Sequence, residues 1–235
     1  MHKSETSTES NKQKENDKGK AEVKPSHPTN AQSESVAKGK AKVKLVIFDM
    51  DGVLVDSHDA WYEAAKGLLR MWGEDITREE FDARCWGIPF GSAWRRNGMP
   101  IENMKVATEM ILREYLRQAD KVRLFGGVAE LFALLKSNGI KTALLTNTPK
   151  WVAEKVMDKL GIAFDAFPDL SVLKPKPNPD GVIKALESLG IGKDETVLVG
   201  DTHTDEQAGR NAGVAFLMVG RDISSVAELP EKLGI

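Results

Sequence analysis

Short apolar runs alternate with longer amphipathic segments along most of the chain. The apolar runs have strand length and end at turn residues, whereas the longer segments repeat apolar positions at helical spacing. The predicted strands are 43–49, 141–146, 196–200 and 214–219. The predicted helices are 127–137, 149–160, 179–189 and 205–212. Because strands and helices alternate and the strands are almost wholly apolar, the pattern predicts an α/β fold, a doubly wound parallel sheet with helices on both faces.

One segment interrupts this alternation, between residues 56 and 124. Apolar residues recur there at helical spacing, and Thr77 with Glu80 forms a capping box. The segment is therefore predicted to be an all-helical module. Because it directly follows the first strand, it should lie over the carboxyl end of that strand and act as a lid. The predicted domains are an α/β catalytic core at 43–55 and 125–235 and a helical cap at 56–124.

The first 42 residues differ in composition from the rest of the chain. They are rich in Lys, Glu, Ser, Asn, Thr and Gln and contain no aromatic residue. Such a segment cannot bury an apolar core, so residues 1–42 are predicted to be a disordered polar tail. A lysine-rich arm that touches an acidic partner is the alternative. The segment lacks the apolar centre of a secretory signal and the arginines of a transit peptide.

Charge and cysteine content narrow the class of partner. The 235-residue chain has a formal net charge of -2, which argues against nucleic acid and against a membrane surface. Cys85 is the single cysteine, so an internal disulfide is excluded and a reducing, cytoplasmic location is expected. No apolar run reaches the length of a membrane span. The expected partner is a small molecule, and the chain is expected to be a monomer or a homodimer.

Two acidic residues follow the first predicted strand, in the sequence FDMDG at 48–52. Asp49 and Asp51 are two residues apart and should point the same way from an extended chain. Two carboxylates so close repel each other unless a cation lies between them or one of them is protonated. An ordinary Asp/Gly turn after a buried strand would have the same residues, so this stretch alone fits a turn or a site.

Three later groups of polar residues are predicted to lie at the same edge of the sheet. Thr146 and Asn147 offer a hydroxyl and an amide to phosphate oxygens, Lys176 is held among three prolines, and Asp201 and Asp205 follow a later strand. Each group alone also fits a structural role: a helix cap, a solvated lysine, or acids at a helix start. In a doubly wound sheet, however, the carboxyl ends of the strands meet at the edge where ligands bind. Together the groups suit a hard divalent cation and phosphoryl transfer.

The four groups resemble the motifs of the haloacid dehalogenase superfamily of phosphohydrolases, in the branch whose helical cap follows the first strand. The resemblance covers residues 43–219 and is nearest to the phosphoglycolate phosphatases. It implies a Rossmann-like core with an inserted helical cap. The matching segments, in order, are FDMDGVLVDS at 48–57, LLTN at 144–147, KPNPD at 176–180 and GDTHTD at 200–205.

The resemblance implies roles in catalysis and in phosphate binding. Asp49 would be the nucleophile that forms an aspartyl phosphate. Asp51 would be the general acid that protonates the leaving oxygen and the base that then activates water. Thr146 and Asn147 would hold the phosphoryl group, and Lys176 would neutralise it and orient Asp49.

The resemblance also implies a Mg²⁺ cofactor. Asp49, the backbone carbonyl of Asp51 and Asp201 would bind the ion, with Asp205 arranging its waters. Dehalogenase members of the superfamily lack the second aspartate, so Asp51 favours a phosphatase. The implied enzyme is a phosphoric monoester hydrolase that acts on a small phosphorylated metabolite, such as phosphoglycolate or a sugar phosphate.

Two other functions stay open at this point. A sugar phosphomutase of the same fold would return the phosphoryl group to its substrate. A non-catalytic scaffold would keep the fold and bind a partner through the tail or the cap. The lysine assignment also has an alternative, because Lys174 begins a second KPxP string, although Lys176 fits the register of the motif better.

Several residues of the cap and of the last motif could contact the substrate or have no chemical role. The glycine-rich segment 87–92 is the part of the cap expected to reach the substrate. Arg95 and Arg96 could bind a second anionic group, as in phosphoglycolate, or face solvent. His58 and His203 could touch the substrate or serve as ordinary loop residues.

Overall fold

The structure is a computed structural model that describes residues 42–235. The predicted tail therefore lies outside the described residues, apart from its last position. Strands β1 to β6 are Leu45–Phe48, Val55–Asp56, Arg123–Leu124, Lys141–Leu144, Thr196–Gly200 and Ala215–Met218. Helices α1 to α9 are His58–Arg70, Arg78–Arg84, Phe90–Arg96, Met104–Arg117, Val128–Ser137, Lys150–Leu160, Asp180–Leu189, His203–Ala212 and Leu229–Leu233.

Strand β1 is an inner strand of a four-stranded parallel sheet with the order β4-β1-β5-β6. Phe48 at the end of β1 is in register with Leu144 of β4 and with Val199 of β5. The three strands therefore end side by side, and the residues that follow them meet at one edge of the sheet. The predicted parallel sheet is confirmed.

Helices cover both faces of this sheet because the side chains of β1 alternate. Val46 and Phe48 belong to one apolar cluster, which includes buried residues of α5 and α6. Leu45 and Ile47 belong to a second cluster, with buried residues of α7 and α8. All four side chains are fully buried. The predicted doubly wound, Rossmann-like α/β fold is confirmed.

Helices α1 to α4 lie between β2 and β3, which pair with each other as a short antiparallel ribbon. The predicted capping box is present at the start of α2: the Thr77 hydroxyl accepts a hydrogen bond from the Glu80 N–H at 3.2 Å, and the Thr77 N–H donates to Glu80 Oε2 at 3.0 Å. Trp61 of α1 stacks on Tyr115 of α4, with ring centroids 3.9 Å apart. The segment is helical as predicted, and the ribbon at its two ends was not predicted because two-residue strands show no periodicity.

Several elements differ from their predicted bounds. Strand β1 ends at Phe48, one residue before its predicted end, because the ladder pairs no residue beyond Phe48 with β4. Strand β4 ends at Leu144, because the apolar run continues to Leu145, past the last paired residue. Helix α8 begins at His203, two residues earlier than predicted, because Thr202 is its N-cap. None of the helices described for residues 42–235 combines the length and the apolar character that crossing a membrane requires.

Candidate active site

Asp49 is the first residue after β1, and one oxygen of its carboxylate is held from two sides. Oδ1 accepts a hydrogen bond from the Met50 N–H at 2.7 Å and lies 2.9 Å from Lys176 Nζ. Oδ2 receives no hydrogen bond from any residue in the range 42–235 and is available for chemistry. Burial raises the pKa of Asp49 well above its usual value, and the Lys176 ammonium opposes that shift.

Lys176 lies between two carboxylates. Its Nζ is 2.9 Å from Asp49 Oδ1 and 2.6 Å from Asp205 Oδ1, and its side chain is 3% exposed. Although burial lowers the pKa of Lys176, the Asp205 and Asp49 carboxylates together raise it, so the ammonium stays charged. Lys174, the alternative left open by the sequence, is exposed. The fold therefore brings Lys176 to this site.

Three aspartates meet beside this lysine. Asp49, Asp201 and Asp205 each offer one oxygen, and the three oxygens lie within 4.8 Å of one another. Asp201 Oδ1 is buried and has no hydrogen-bond partner in the described part of the chain. Burial, followed by the Asp205 carboxylate, raises the pKa of Asp201 to about 7. When all are ionised, three carboxylates and one ammonium leave two negative charges, so these residues fit a divalent cation with oxygen ligands.

Asp205 differs from the other two aspartates because both of its oxygens are already bonded. Oδ1 contacts Lys176 Nζ, and Oδ2 accepts hydrogen bonds from the Thr202 N–H at 3.1 Å and from the Thr202 hydroxyl. The side chain is fully buried. This arrangement suits Asp205 to positioning Lys176 and the loop before α8, and it leaves Asp49 and Asp201 with oxygens that lack hydrogen bonds from the described residues.

Three side chains hold the Asp51 carboxylate. Oδ1 accepts hydrogen bonds from Ser57 Oγ at 2.5 Å and from Trp61 Nε1 at 3.0 Å, and Oδ2 accepts one from Thr148 Oγ1 at 3.0 Å. Trp61 belongs to α1, whereas Thr148 lies in the loop after β4. None of these three hydrogen-bond donors to Asp51 was predicted from the sequence. The available signals were that Ser57 ends the first motif and that Thr148 directly follows the second.

The two residues predicted to hold phosphate are placed differently. The Thr146 side chain is buried, and its Oγ1 accepts a hydrogen bond from the Thr148 N–H at 3.1 Å. Asn147 exchanges two hydrogen bonds with the backbone of Lys176: Oδ1 accepts from the N–H at 3.0 Å, and Nδ2 donates to the C=O at 3.4 Å. Asn147 therefore aligns the lysine loop with the loop after β4. A direct phosphate contact by either residue stays a prediction.

A cavity of about 410 Å³ lies between this edge of the sheet and helices α1 to α4. The segment Gly87–Phe90 also lines it, whereas Gly91 and Ser92 of the predicted segment 87–92 do not, and contact of this segment with a substrate stays a prediction. Of the predicted site residues, those that line the cavity are Asp49, Asp51, Thr146, Asn147, Lys176 and Asp201.

Four polar cap or loop residues considered in the sequence analysis do not line the cavity. His58 Nε2 lies 2.5 Å from Asp82 Oδ1, and its ring packs against Trp86. His203 is 87% exposed. Arg95 and Arg96 are exposed.

Comparison with known proteins identifies the family. The sequence model of haloacid dehalogenase-like hydrolases matches residues 46–219, which include all four motifs. The chain belongs to this family. The resemblance inferred from the motifs is therefore confirmed.

The relatives of the chain include phosphatases with different substrates. The chain is 30% identical over 185 residues to the phosphorylated carbohydrates phosphatase of Thermotoga maritima, covering 73% of this chain and 82% of the relative. It is 30% identical over 189 residues to the phosphoglycolate phosphatase of Pseudomonas savastanoi pv. phaseolicola, covering 73% and 67%. The chain is thus a hydrolase of phosphate esters, as the sequence predicted.

The fold is also found in solved structures. The structure of CbbY from Rhodobacter sphaeroides in complex with phosphate superposes with a TM-score of 0.69 at 22% identity. The match covers 82% of this chain and 100% of that one. At this identity the likeness supports the fold alone.

Proposed function

We propose that the protein is a magnesium-dependent phosphatase that hydrolyses a small phosphomonoester through an aspartyl phosphate on Asp49. One observation carries the proposal: Asp49 Oδ1 is fixed by Met50 and Lys176, while Oδ2 is unbonded among the described residues and the carboxylate borders the cavity. A nucleophile needs this combination of a fixed orientation and a free oxygen.

In the first half of the reaction, an Asp49 oxygen attacks phosphorus and the bond from phosphorus to the leaving oxygen breaks. Asp51 gives its proton to that oxygen, so the product leaves as an alcohol. Lys176 keeps the attacking carboxylate in place and adds positive charge beside the phosphoryl oxygens. Thr146 lines the cavity and would donate its hydroxyl hydrogen to one of those oxygens.

In the second half, Asp51 accepts a proton from a water molecule, whose oxygen attacks the same phosphorus. The bond between phosphorus and the Asp49 oxygen then breaks, which releases inorganic phosphate and restores both carboxyl groups. Ser57, Trp61 and Thr148 hold the Asp51 carboxylate in one orientation through both proton transfers.

Asp49, Asp201 and the backbone carbonyl of Asp51 would hold the Mg²⁺, and Asp205 would support the site from behind through Lys176. When bound, the ion supplies positive charge that stabilises the negative charge on the transferring phosphoryl group. Two features support the assignment: the buried Asp201 Oδ1 without a partner and the net charge of the cluster.

The proposal is tested by hydrolysis of p-nitrophenyl phosphate with and without Mg²⁺. Activity should require the ion and should fall to background in Asp49→Asn. Asp194→Asn, which makes the same change at an exposed position before β5, should keep full activity. Asp49→Asn protein that keeps wild-type activity would contradict the aspartyl-phosphate route. Transfer of the phosphoryl group to a second substrate molecule, without release of inorganic phosphate, would indicate a mutase instead.

A second experiment separates the two roles of the aspartates. Asp51→Asn should still accept a phosphoryl group from an ester with a good leaving group but should release it slowly. Intact-protein mass spectrometry should then detect a phosphorylated species that is absent from Asp49→Asn. A phosphorylated Asp49→Asn protein would show that another residue is the nucleophile.

The expected substrate is a small phosphorylated metabolite, because the cavity has a volume of about 410 Å³ and is bounded on its far side by helices, which suits a small ligand. A cytoplasmic location fits this substrate and the single free thiol of Cys85. Fractionation of the cells that produce the protein would test the location.

A further inference from the structure

The cavity has two chemically different ends. The end at the sheet edge carries the carboxylates, hydroxyls and ammonium described above. The opposite end lies within the cap, where α1 contributes Leu68 and Leu69, α3 contributes Phe90 and Trp94, and α4 contributes Ile111 and Leu112. A bound phosphomonoester would place its phosphoryl group at the first end and its organic group against the second.

The cap end offers no positive charge to the organic group. Within residues 42–235, no arginine, no histidine and no lysine other than Lys176 borders the cavity. Arg95 and Arg96 directly follow Trp94 on α3, but they are exposed and lie outside the lining. A second phosphate or a carboxylate on the substrate would therefore lose its hydration at this end without gaining an ionic partner.

Three polar side chains of the cap end are already used for local hydrogen bonds. Trp94 Nε1 donates to the Pro100 carbonyl at 2.8 Å, and the Thr108 hydroxyl donates to the Met104 carbonyl at 2.7 Å. The Asn97 side-chain amide donates to a carbonyl in the preceding turn of α3 at 2.8 Å. These donors are committed to helix termini and turns, so a sugar with many hydroxyls would find few partners here.

From these observations we infer that the physiological substrate is a phosphomonoester whose alcohol part is uncharged and apolar, either aromatic or a branched alkyl group. This inference rests on the proposed phosphatase function and specifies its substrate class. Apolar surface of the substrate would be buried against apolar and aromatic side chains, which favours binding, and no polar group would be left without a partner. Phosphoglycolate and sugar phosphates would be poor substrates.

The test compares three esters of primary alcohols that differ in the organic group: benzyl phosphate, 2-phosphoglycolate and glucose 6-phosphate. With Mg²⁺ present, kcat/KM for benzyl phosphate should exceed that for each of the other two at least about tenfold. Any smaller ratio, or a reversed one, overturns the inference. Hydrolysis of p-nitrophenyl phosphate in the same preparation separates the two proposals: if it occurs while the ratio fails, only the substrate inference falls. A protein that hydrolyses none of the four esters overturns both.

Two variants test whether the preference for an apolar substrate comes from the cap. Ile88 is half-buried and lines the cavity, so Ile88→Arg should lower kcat/KM for benzyl phosphate and raise it for 2-phosphoglycolate. The double variant Arg95→Gln, Arg96→Gln changes charge just outside the lining and should leave the ratio between the two esters unchanged. A selective loss of 2-phosphoglycolate hydrolysis in the double variant would show that the arginines bind a second anion and would overturn the inference. Folding of each variant is checked by its thermal unfolding midpoint.

Discussion

The indole N–H of Trp61 donates a hydrogen bond to Asp51 Oδ1 at 3.0 Å. Trp61 belongs to α1, whereas Asp51 lies in the turn after β1, so the bond joins a cap helix to the proposed proton donor. The same indole stacks on Tyr115 of α4 at 3.9 Å between ring centroids. The orientation of Asp51 therefore depends on the cap as well as on the sheet.

Replacement of Trp61 by Phe should lower kcat for p-nitrophenyl phosphate about tenfold while the protein stays folded. The phenyl ring keeps an aromatic contact with Tyr115 over a smaller area, and the hydrogen bond to Asp51 is lost, which corresponds to roughly 1.5 kcal/mol for a bond to a charged group. Trp151→Phe is the matched control, because Trp151 lies on α6 and is 44% exposed. Equal kcat values for the two variants would show that Trp61 acts only in packing.

Replacement of Lys176 by Met should lower kcat about a hundredfold or more, because the ammonium that orients Asp49 is lost. The free energy of unfolding should also fall by about 3 kcal/mol, since two buried carboxylates lose their counter-ion. Steady-state kinetics and urea unfolding measure the two effects. Lys174→Met makes the same change two positions away at an exposed site, and it should show neither effect.

Asp201 should make the metal-free protein less stable as the pH rises. The pKa of Asp201 is about 7 in the folded protein, whereas an unfolded Asp titrates at about 3.9. Between these values the folded state keeps a proton that the unfolded state releases, so the free energy of unfolding falls as the pH rises through this window. Urea unfolding in EDTA at pH 5 and pH 7.5 should show a larger loss for the wild type than for Asp201→Asn.

Added Mg²⁺ should reverse that loss, and more strongly at pH 7.5 than at pH 5, because the ion binds the deprotonated carboxylate. Asp194→Asn serves as the control and should follow the wild type at both pH values. Parallel pH dependences for the wild type and Asp201→Asn would contradict the assigned titration.

Replacement of Gly52 by Ala should raise the Mg²⁺ concentration needed for half-maximal activity. A Cβ at position 52 would lie 2.1 Å from Asp201 Oδ2, so the carboxylate must move. Gly52 also has a φ of +78°, where an alanine is strained by about 1 kcal/mol. Gly73→Ala has nearly the same φ, +79°, with nothing within 4 Å of the new Cβ. It should therefore lose a similar amount of stability and keep the wild-type Mg²⁺ requirement.

The sequence predicted which residues form the site better than it predicted the hydrogen bonds between them. Asp49, Asp51 and Asp201 were identified because they follow apolar runs at the edge where strands end. Lys176 was identified because prolines surround it just before a helix, and all four residues border one cavity. The donors that hold Asp51 were not identified, because such contacts join positions as far apart as 51 and 148. Hydrophobic periodicity gives information only about residues that are close to one another along the chain.

The sequence also did not predict which cap side chains face the cavity. Arg95, Arg96 and Trp94 are consecutive, so composition alone gives all three equal access to a substrate. The structure turns Trp94 toward the cavity and leaves both arginines exposed. Which side of a short helix faces inward is decided by packing, here against α4 and against the ring of Trp72. A seven-residue helix is too short for its pattern to specify this.

Neighbouring strands in one hydrogen-bonded ladder carry Asp49, Thr146 and Asp201 at their ends. The spacing of these groups is consequently set by main-chain pairing, whereas the shape of the opposite wall is set by side chains on separate helices. Selection can alter what the enzyme admits by exchanging helical side chains other than Trp61, and the main-chain positions of Asp49, Thr146 and Asp201 are kept. This separation of the sheet, which spaces the reacting groups, from the helices, which form the opposite wall, explains how one fold can serve relatives as different as a carbohydrate-phosphate and a phosphoglycolate hydrolase.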